Sequence, residues 1–114
     1  MGALNDAWDT LRAELEAEGL KVIQNPGDID LPCILLDAPS YTVPNKSVVE
    51  VTIPAHVLVA PPGNYSAVRD MLDTADQIAA LPVVLTSRGE PAVFEYGDRQ
   101  IPSYTLTVIM TVIR

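Results

Sequence analysis

The sequence has few of the residues on which enzyme and metal chemistry usually depends. It contains one cysteine, Cys33, and one histidine, His56, among 114 residues. A single cysteine excludes an intrachain disulfide, and a zinc site of cysteine and histidine needs more ligands than one such chain supplies. The low cysteine content is typical of a reducing compartment. We therefore expect neither a metal nor a cofactor.

Positive charge is also scarce. Seven Lys and Arg residues face fifteen Asp and Glu residues, which gives a formal net charge of -8. Proteins that coat nucleic acid bind the phosphates through Lys and Arg, so this balance excludes that class of function. An acidic protein can still let DNA pass nearby without retaining it.

Long apolar runs are missing as well. No stretch of the sequence approaches the roughly 18 apolar residues that a membrane-spanning helix requires. The N-terminus lacks a basic segment followed by an apolar one, so we expect no secretory signal and no membrane partner.

The familiar catalytic motifs do not occur. The sequence has no nucleophile elbow, phosphate-binding loop or dinucleotide fingerprint. His56 can act as a general base only if the fold brings a nucleophile or a carboxylate to it, and a structural histidine on a strand is the more ordinary interpretation. Cys33 fits a small buried hydrophobe. Asp28 and Asp30 are close together, but a hard-cation site needs about six oxygen ligands. We predict that the protein is not an enzyme.

The residues that are abundant indicate a globular fold. Hydrophobic residues make up 48% of the chain and charged residues 19%, which predicts a single domain over residues 1–114. Residues 47–60 alternate with the two-residue period of a strand and present one continuous apolar face. Proline cannot donate to a strand ladder, so we expect a bulge or an edge position at Pro54.

Residues 101–113 predict a second long strand, which closes the sequence. One of its faces is apolar, and the other mixes threonine with isoleucine from Thr105 to Ile113. We expect this strand to be paired deep in a sheet, with its mixed face covered by the chain's own helices or by another subunit. We also expect identical neighbours, rather than the chain itself, to complete it.

Two segments show the 3.6-residue period of amphipathic helices. Residues 4–18 form the first, and Gly19 is suited to end it in a left-handed conformation. The second helix follows the turn at residues 61–64 and ends before Pro82. Its apolar stripe comprises Val68, Met71, Leu72, Ala75, Ile78 and Ala79. Two helices with one stripe each cover a single face of a sheet.

Shorter elements complete the predicted order. Residues 32–36, 83–86 and 92–96 predict short strands, whereas turn residues predict loops at 37–46 and 87–91. The sequence therefore predicts an α+β fold, with a mixed, mostly antiparallel β-sheet and two α-helices packed on one face.

Four segments in this order carry a family resemblance. They are the acidic helix at residues 4–18, the strand at 48–60, the helix entered through Pro61-Pro62-Gly63-Asn64, and the closing strand reached through Tyr96-Gly97-Asp98. Together with the size and the acidic charge, this layout resembles that of the tail terminator proteins of long, non-contractile-tailed bacteriophages. The resemblance covers most of the chain. It implies an α/β sandwich that assembles as a hexameric ring without enzymatic activity.

The resemblance also implies partners. The ring would cap the completed tail tube and join it to the head, at the tail–neck junction of the virion, after synthesis in the host bacterial cytoplasm. The implied partners are other copies in a homohexamer, the major tail tube protein, and the head-to-tail connector or stopper protein. DNA would pass through the lumen without sequence-specific binding.

The predicted loops at residues 39–46 and 87–91 are the segments that we expect to contact these partners. Within them, Tyr41, Lys46, Arg88 and Glu90 are candidate partner-binding residues, because interfaces favour aromatic and arginine anchors. The alternative for each is an ordinary solvated loop residue.

Two alternative functions stay open at this point. Another phage neck protein, such as a head-to-tail stopper or adaptor, would share much of this description. A small acidic protein-binding module would instead be monomeric or dimeric.

Overall fold

The computed structural model describes residues 3–23, 27, 31–59, 65–82 and 84–113, with the side chains of residues 3 and 65 left out. Its elements, in chain order, are α1 (Ala3–Ala17), β1 (Val22–Ile23), β2 (Cys33–Leu36), β3 (Ser40–Asn45), β4 (Val48–Leu58), α2 (Tyr65–Ala79), β5 (Leu85–Tyr96) and β6 (Arg99–Ile113). The α+β fold predicted from the sequence is confirmed.

The strands form one sheet in the order β1–β2–β4–β6–β5, and β3 pairs with β4 outside this path. β1 and β2 are parallel, and the other described pairs are antiparallel. β6 pairs with β4 along one side and, from Arg99 to Ile109, with β5 along the other. The chain itself therefore fills both neighbouring positions of β6 over most of its length, and the expectation that identical neighbours complete this strand is wrong.

Both helices pack on the same face of the sheet. α1 contributes Ala7, Leu11 and Leu15 to the core, and α2 contributes Met71, Ala75 and Ile78. They cover alternate residues of the two central strands, because successive side chains of a strand point to opposite faces. These buried strand residues are Val49, Val51, Ile53, Ala55, Val57, Leu106, Val108 and Met110.

The end of α1 follows the sequence prediction. Gly19 has φ of 80°, in the left-handed region that glycine tolerates. The Gly19 N–H donates to the Glu16 carbonyl at 3.0 Å, and the Leu20 N–H donates to the Leu15 carbonyl at 3.1 Å. These two bonds form a Schellman motif, which satisfies carbonyl groups at the helix end.

The loop predicted at residues 37–46 is wrong for most of its length. Ser40–Asn45 forms β3, which pairs with β4 in a register that places Tyr41 opposite Val51. All six residues are exposed, so the segment has no core-directed periodicity for a sequence pattern to reveal. Its Pro44 lies where the register shifts between Thr42 and Asn45, and an edge strand tolerates proline at such a place.

The turn predicted at residues 87–91 is also wrong. Leu85–Tyr96 is a single strand with a register shift between Thr86 and Arg88. Gly89 resembles a turn residue in sequence, but here it lets the strand approach its neighbour. A Cβ at Gly89 would lie 2.7 Å from Leu106 Cδ2 and 2.8 Å from Tyr104 Cε2. Pairing with β6 therefore overrides the local turn propensity.

The sequence predicted a bulge or an edge position at Pro54, and both predictions are wrong. β4 is interior to the sheet, but β2 ends opposite Ala55 and β3 begins opposite Thr52. The carbonyl of Pro54 accepts the Asp37 N–H at 2.9 Å, so its nitrogen faces the same gap between β2 and β3. Asp37 continues the register of β2 opposite Pro54, so the ladder lacks one N–H donor there, and the Asp37 carbonyl accepts the Trp8 Nε1–H at 3.2 Å instead.

Gly89 provides a test of this packing. We expect Gly89→Val to lower the free energy of unfolding by about 1–3 kcal/mol, because the new side chain overlaps those of Leu106 and Tyr104. Urea denaturation measures the change. The matched control is Ala92→Val on the same exposed strand, for which we expect a change within about 0.5 kcal/mol. Equal stability of the two variants would contradict the close approach of β5 to β6.

Candidate functional site

Among the described residues, no helix covers the face of the sheet opposite α1 and α2. We call it the bare face, and its central residues are Thr52, Pro54 and His56 of β4 and Thr105, Thr107 and Ile109 of β6. All six side chains are partly exposed. Toward the end of β6 the exposure rises, and Ile113 is 79% exposed. The mixed threonine and isoleucine face predicted from the sequence therefore remains partly open to solvent.

One end of the bare face is closed by the chain itself. Five buried residues form a second, smaller core there: Ile23, Cys33, Leu35, Leu58 and Ile101. Leu31 and Phe94 pack against this cluster from the surface. The sequence did not reveal this core, because its members come from four separate segments and only one of them, Cys33–Leu36, is apolar on both faces.

Exposed apolar side chains concentrate at the two edges of the sheet. On β3, Tyr41 is 58% exposed and Val43 44%. On β5, Leu85 is 63% exposed and Val93 61%. Exposed apolar surface with polar surroundings is typical of protein interaction sites.

The apolar stripe predicted for α2 is only half covered. Met71, Ala75 and Ile78 are buried as expected, but Val68 and Leu72 are 36% and 43% exposed. Ala79 is exposed too, so three of the six stripe positions are uncovered within one chain. They lie on the side of α2 that faces β5, where Leu72 and Ala79 line an open cavity of about 320 Å³.

The four candidate residues from the sequence lie at opposite edges. Tyr41 is in β3 and Lys46 follows it in the turn to β4, whereas Arg88 and Glu90 are in β5. Arg88 Nη2 donates to Glu90 Oε2 at 2.8 Å, and both side chains are more than half exposed. An exposed pair of this kind contributes about 0–1 kcal/mol. The fold does not bring the two pairs together within one chain.

His56 has two polar partners on the bare face. Its Nε2 lies 2.8 Å from Asp37 Oδ2 and its Nδ1 lies 2.9 Å from Thr105 Oγ1. When the hydrogen is on Nε2, the ring donates to the carboxylate and accepts from the hydroxyl. Strand register brings these groups together: His56 is directly opposite Thr105, and Asp37 follows the end of β2. The sequence singled out His56 but not its partners, because only the register identifies them.

This arrangement has the order of a carboxylate–imidazole–hydroxyl relay. Its hydrogen bonds connect three segments of the fold, which is the placement of a structural network. Three cavities stand out in the described part of the chain. His56 and Thr105 line none of them, but Asp37 lines an open one of about 440 Å³. Asp37 is also fixed by its backbone, since its carbonyl accepts the Trp8 Nε1–H at 3.2 Å. The three side chains thus join the β2–β3 connection to the two central strands. Catalysis would further need a substrate in that cavity to reach His56 or Thr105.

Other candidate chemistry is equally sparse. Cys33 is buried, as the sequence predicted. No cluster of three or more metal-ligating side chains occurs among the residues that the structure describes. Asp28, Asp30 and the turn at residues 61–64 lie outside those residues. Within the same described ranges, neither helix is long and apolar enough to cross a membrane.

Comparison with known proteins gives no family assignment. A scan of the sequence against models of protein families finds no match, and a search of curated proteins finds no relative. The functional argument therefore depends on the geometry of the chain and on the resemblance in its sequence layout.

His56 supplies a test of its structural role. We expect His56→Ala to lower the free energy of unfolding by about 2–4 kcal/mol, because it removes two hydrogen bonds, one of them to a carboxylate. Thr52→Ala, on the same face of the same strand, is the control and should cost less than about 1 kcal/mol. Both values come from urea denaturation. An unaltered stability of His56→Ala would show that the ring is not structural and would reopen a catalytic role.

Proposed function

We propose that this protein is a structural subunit that forms a ring, caps the completed tail tube of a long-tailed bacteriophage and joins it to the head connector. The observation that carries the proposal is the sheet with two open and unlike edges. β5 forms one edge with twelve residues, and β3 forms part of the other with six. Both edges carry exposed apolar side chains.

Unlike edges favour a ring over a two-fold dimer. A two-fold dimer pairs the same surface of both subunits, whereas a head-to-tail contact joins two different surfaces and closes when the rotation allows. Here the two edges differ in length and in charge, with Lys46 beside one and Arg88 with Glu90 on the other. We infer a head-to-tail homohexamer, the stoichiometry that the family resemblance implies.

The charge of the chain suits a conduit for DNA. Each subunit carries a formal net charge of -8, so a ring of identical copies is strongly acidic. Like charge repels the phosphate backbone and keeps passing DNA from adhering. A basic inner wall in the assembled ring would contradict this part of the proposal.

The candidate residues then have two roles. Tyr41 and Lys46 at one edge, and Arg88 and Glu90 at the other, are placed for contacts between subunits or with the tail tube and connector proteins. The His56 relay has a supporting role, since it fixes the bare face rather than reacting.

Oligomeric state in the presence of tail tubes tests the proposal. We expect size-exclusion chromatography with light scattering to show a ring-sized species, or co-migration with tubes, when the protein is mixed with the major tail tube protein. His56→Ala should bind tubes as the unchanged protein does, provided that it folds. Persistent monomers or dimers that ignore tubes would contradict the ring and support the protein-binding module instead. Binding to the head-side connector but not to tubes would support a stopper or adaptor.

A further inference from the structure

The two edge strands β3 and β5 both have exposed apolar side chains near them. We propose that β3 of one copy adds as a strand to β5 of the next copy, and that Tyr41 enters the groove between α2 and β5. This inference rests on the proposed ring and names the contact that builds it. The partner is a second copy of this chain.

The groove is open and its lining is both apolar and polar. It encloses about 320 Å³ between α2 and the helix side of β5 and β6. Its polar lining residues are Asp76, Thr86, Ser87 and Arg88. Leu72 and Ala79 of α2 form one wall, and Leu106 of β6 lies at its base, beside Gly89. Leu72 is 43% exposed although it belongs to the apolar stripe of its helix. The groove therefore leaves apolar surface that the chain itself does not cover.

β3 carries an exposed aromatic side chain, Tyr41, on the side of the sheet where the groove lies. Tyr41 is registered with Val51, whose side chain is fully buried beneath the helices. Tyr41 thus points to the helix side of the sheet. Val43 is exposed but lies inside the register shift between Thr42 and Asn45, so strand alternation does not assign its side. The groove of the neighbouring copy lies on the same side as Tyr41 when the two sheets continue one another.

Strand direction is consistent with such a continuation. β3 runs antiparallel to β4, β4 antiparallel to β6, and β6 antiparallel to β5. β3 and β5 therefore run in opposite directions within one chain. A ring axis that runs roughly parallel to the strands leaves the strand directions unchanged from copy to copy. β3 therefore meets the next copy's β5 as an antiparallel neighbour. The free N–H and C=O groups of both edges then pair, as in other strand-addition interfaces.

The axial offset between the two edges fits a tilted sheet. The registers with β6 give the height of each edge along the strands. β3 pairs with β4 residues that lie opposite residues 109–113 of β6. The groove residues Thr86–Gly89 lie opposite residues 106–108 of β6. This offset is about four residues, or about 14 Å. One copy contributes four strands, which span about 19 Å across the sheet. If the strands are tilted by about 35–45° to the ring axis, as in barrels, neighbouring copies are displaced along the strands by about 13–19 Å, which includes the required offset.

The same geometry gives a channel of suitable width. Six copies contribute four strands each at this level, and 24 strands at about 40° of tilt enclose a diameter of about 48 Å. Barrels of 16–18 strands already leave an aqueous channel. A hexamer built by this contact therefore leaves an open lumen.

The charges near the groove are compatible with this pairing. Lys46 follows β3 directly, and the groove is lined by Asp76 and Arg88. Arg88 is paired with Glu90, so joining β3 to β5 brings Lys46 to a groove whose other charged side chain is the exposed carboxylate of Asp76.

Mixing two one-sided variants tests the contact. Tyr41→Asp with Val43→Asp damages the β3 side, and Leu72→Glu damages the groove side, all at exposed positions. The control is Ile113→Lys, which is 79% exposed but lies on neither edge strand. Light scattering and native mass spectrometry at up to about 1 mM detect even contacts of about 4 kcal/mol. Circular dichroism confirms that each variant is folded.

We expect the unchanged protein and Ile113→Lys to associate, and each one-sided variant to associate at least about 30-fold more weakly. An equimolar mixture of the two variants should form a one-to-one dimer and nothing larger, since it retains one intact β3 and one intact groove. Association of either variant alone like the unchanged protein would overturn this contact while leaving the ring in place. An unchanged protein that stays monomeric at about 1 mM would also overturn the contact. Only a further failure to bind tubes would overturn the proposed function.

Discussion

The antiparallel pairing of β4 with β6 is the interaction on which the rest of the structure depends. Eleven registered pairs join the two strands, and their inward residues receive both helices. The same register opposes His56 to Thr105 on the other face and sets the level of every neighbouring strand. A slip of one residue would turn the apolar faces of both strands to solvent. The length of this pairing therefore determines both the covered face and the bare one.

Long elements with a strong period could be predicted from the sequence. The two helices, the strands of residues 47–60 and 101–113, and the Gly19 cap all have local patterns that match their structural roles. The edge strands could not be predicted in this way. β3 buries no residue, and β5 contains Gly89 and Pro91 within a run that locally favours a turn. Their conformation comes from pairing with strands already in place, which is a tertiary constraint.

The candidate site could likewise be predicted only in part. Tyr41, Lys46, Arg88 and Glu90 could be identified from residue type, but their placement at two opposite edges depends on strand order. The partial exposure of the α2 stripe was equally hidden, because periodicity shows that a helix has an apolar side and not how much of that side is covered. The uncovered part, at Val68 and Leu72, becomes visible only when α2 is placed on the sheet.

Exposed edge strands can pair with other chains and cause aggregation, and this chain has features that block such pairing on part of each edge. Proline, charge and strand irregularity are common means of blocking indiscriminate strand pairing. β3 has Pro44 within an irregular register, and β5 has a register shift at its start and the Arg88–Glu90 pair on the bare face. The helix side of β3 instead presents Tyr41. In the contact that we propose, protection on one side of the edge and an apolar side chain on the other restrict pairing to a partner that supplies a groove, such as the one between α2 and β5 of this chain.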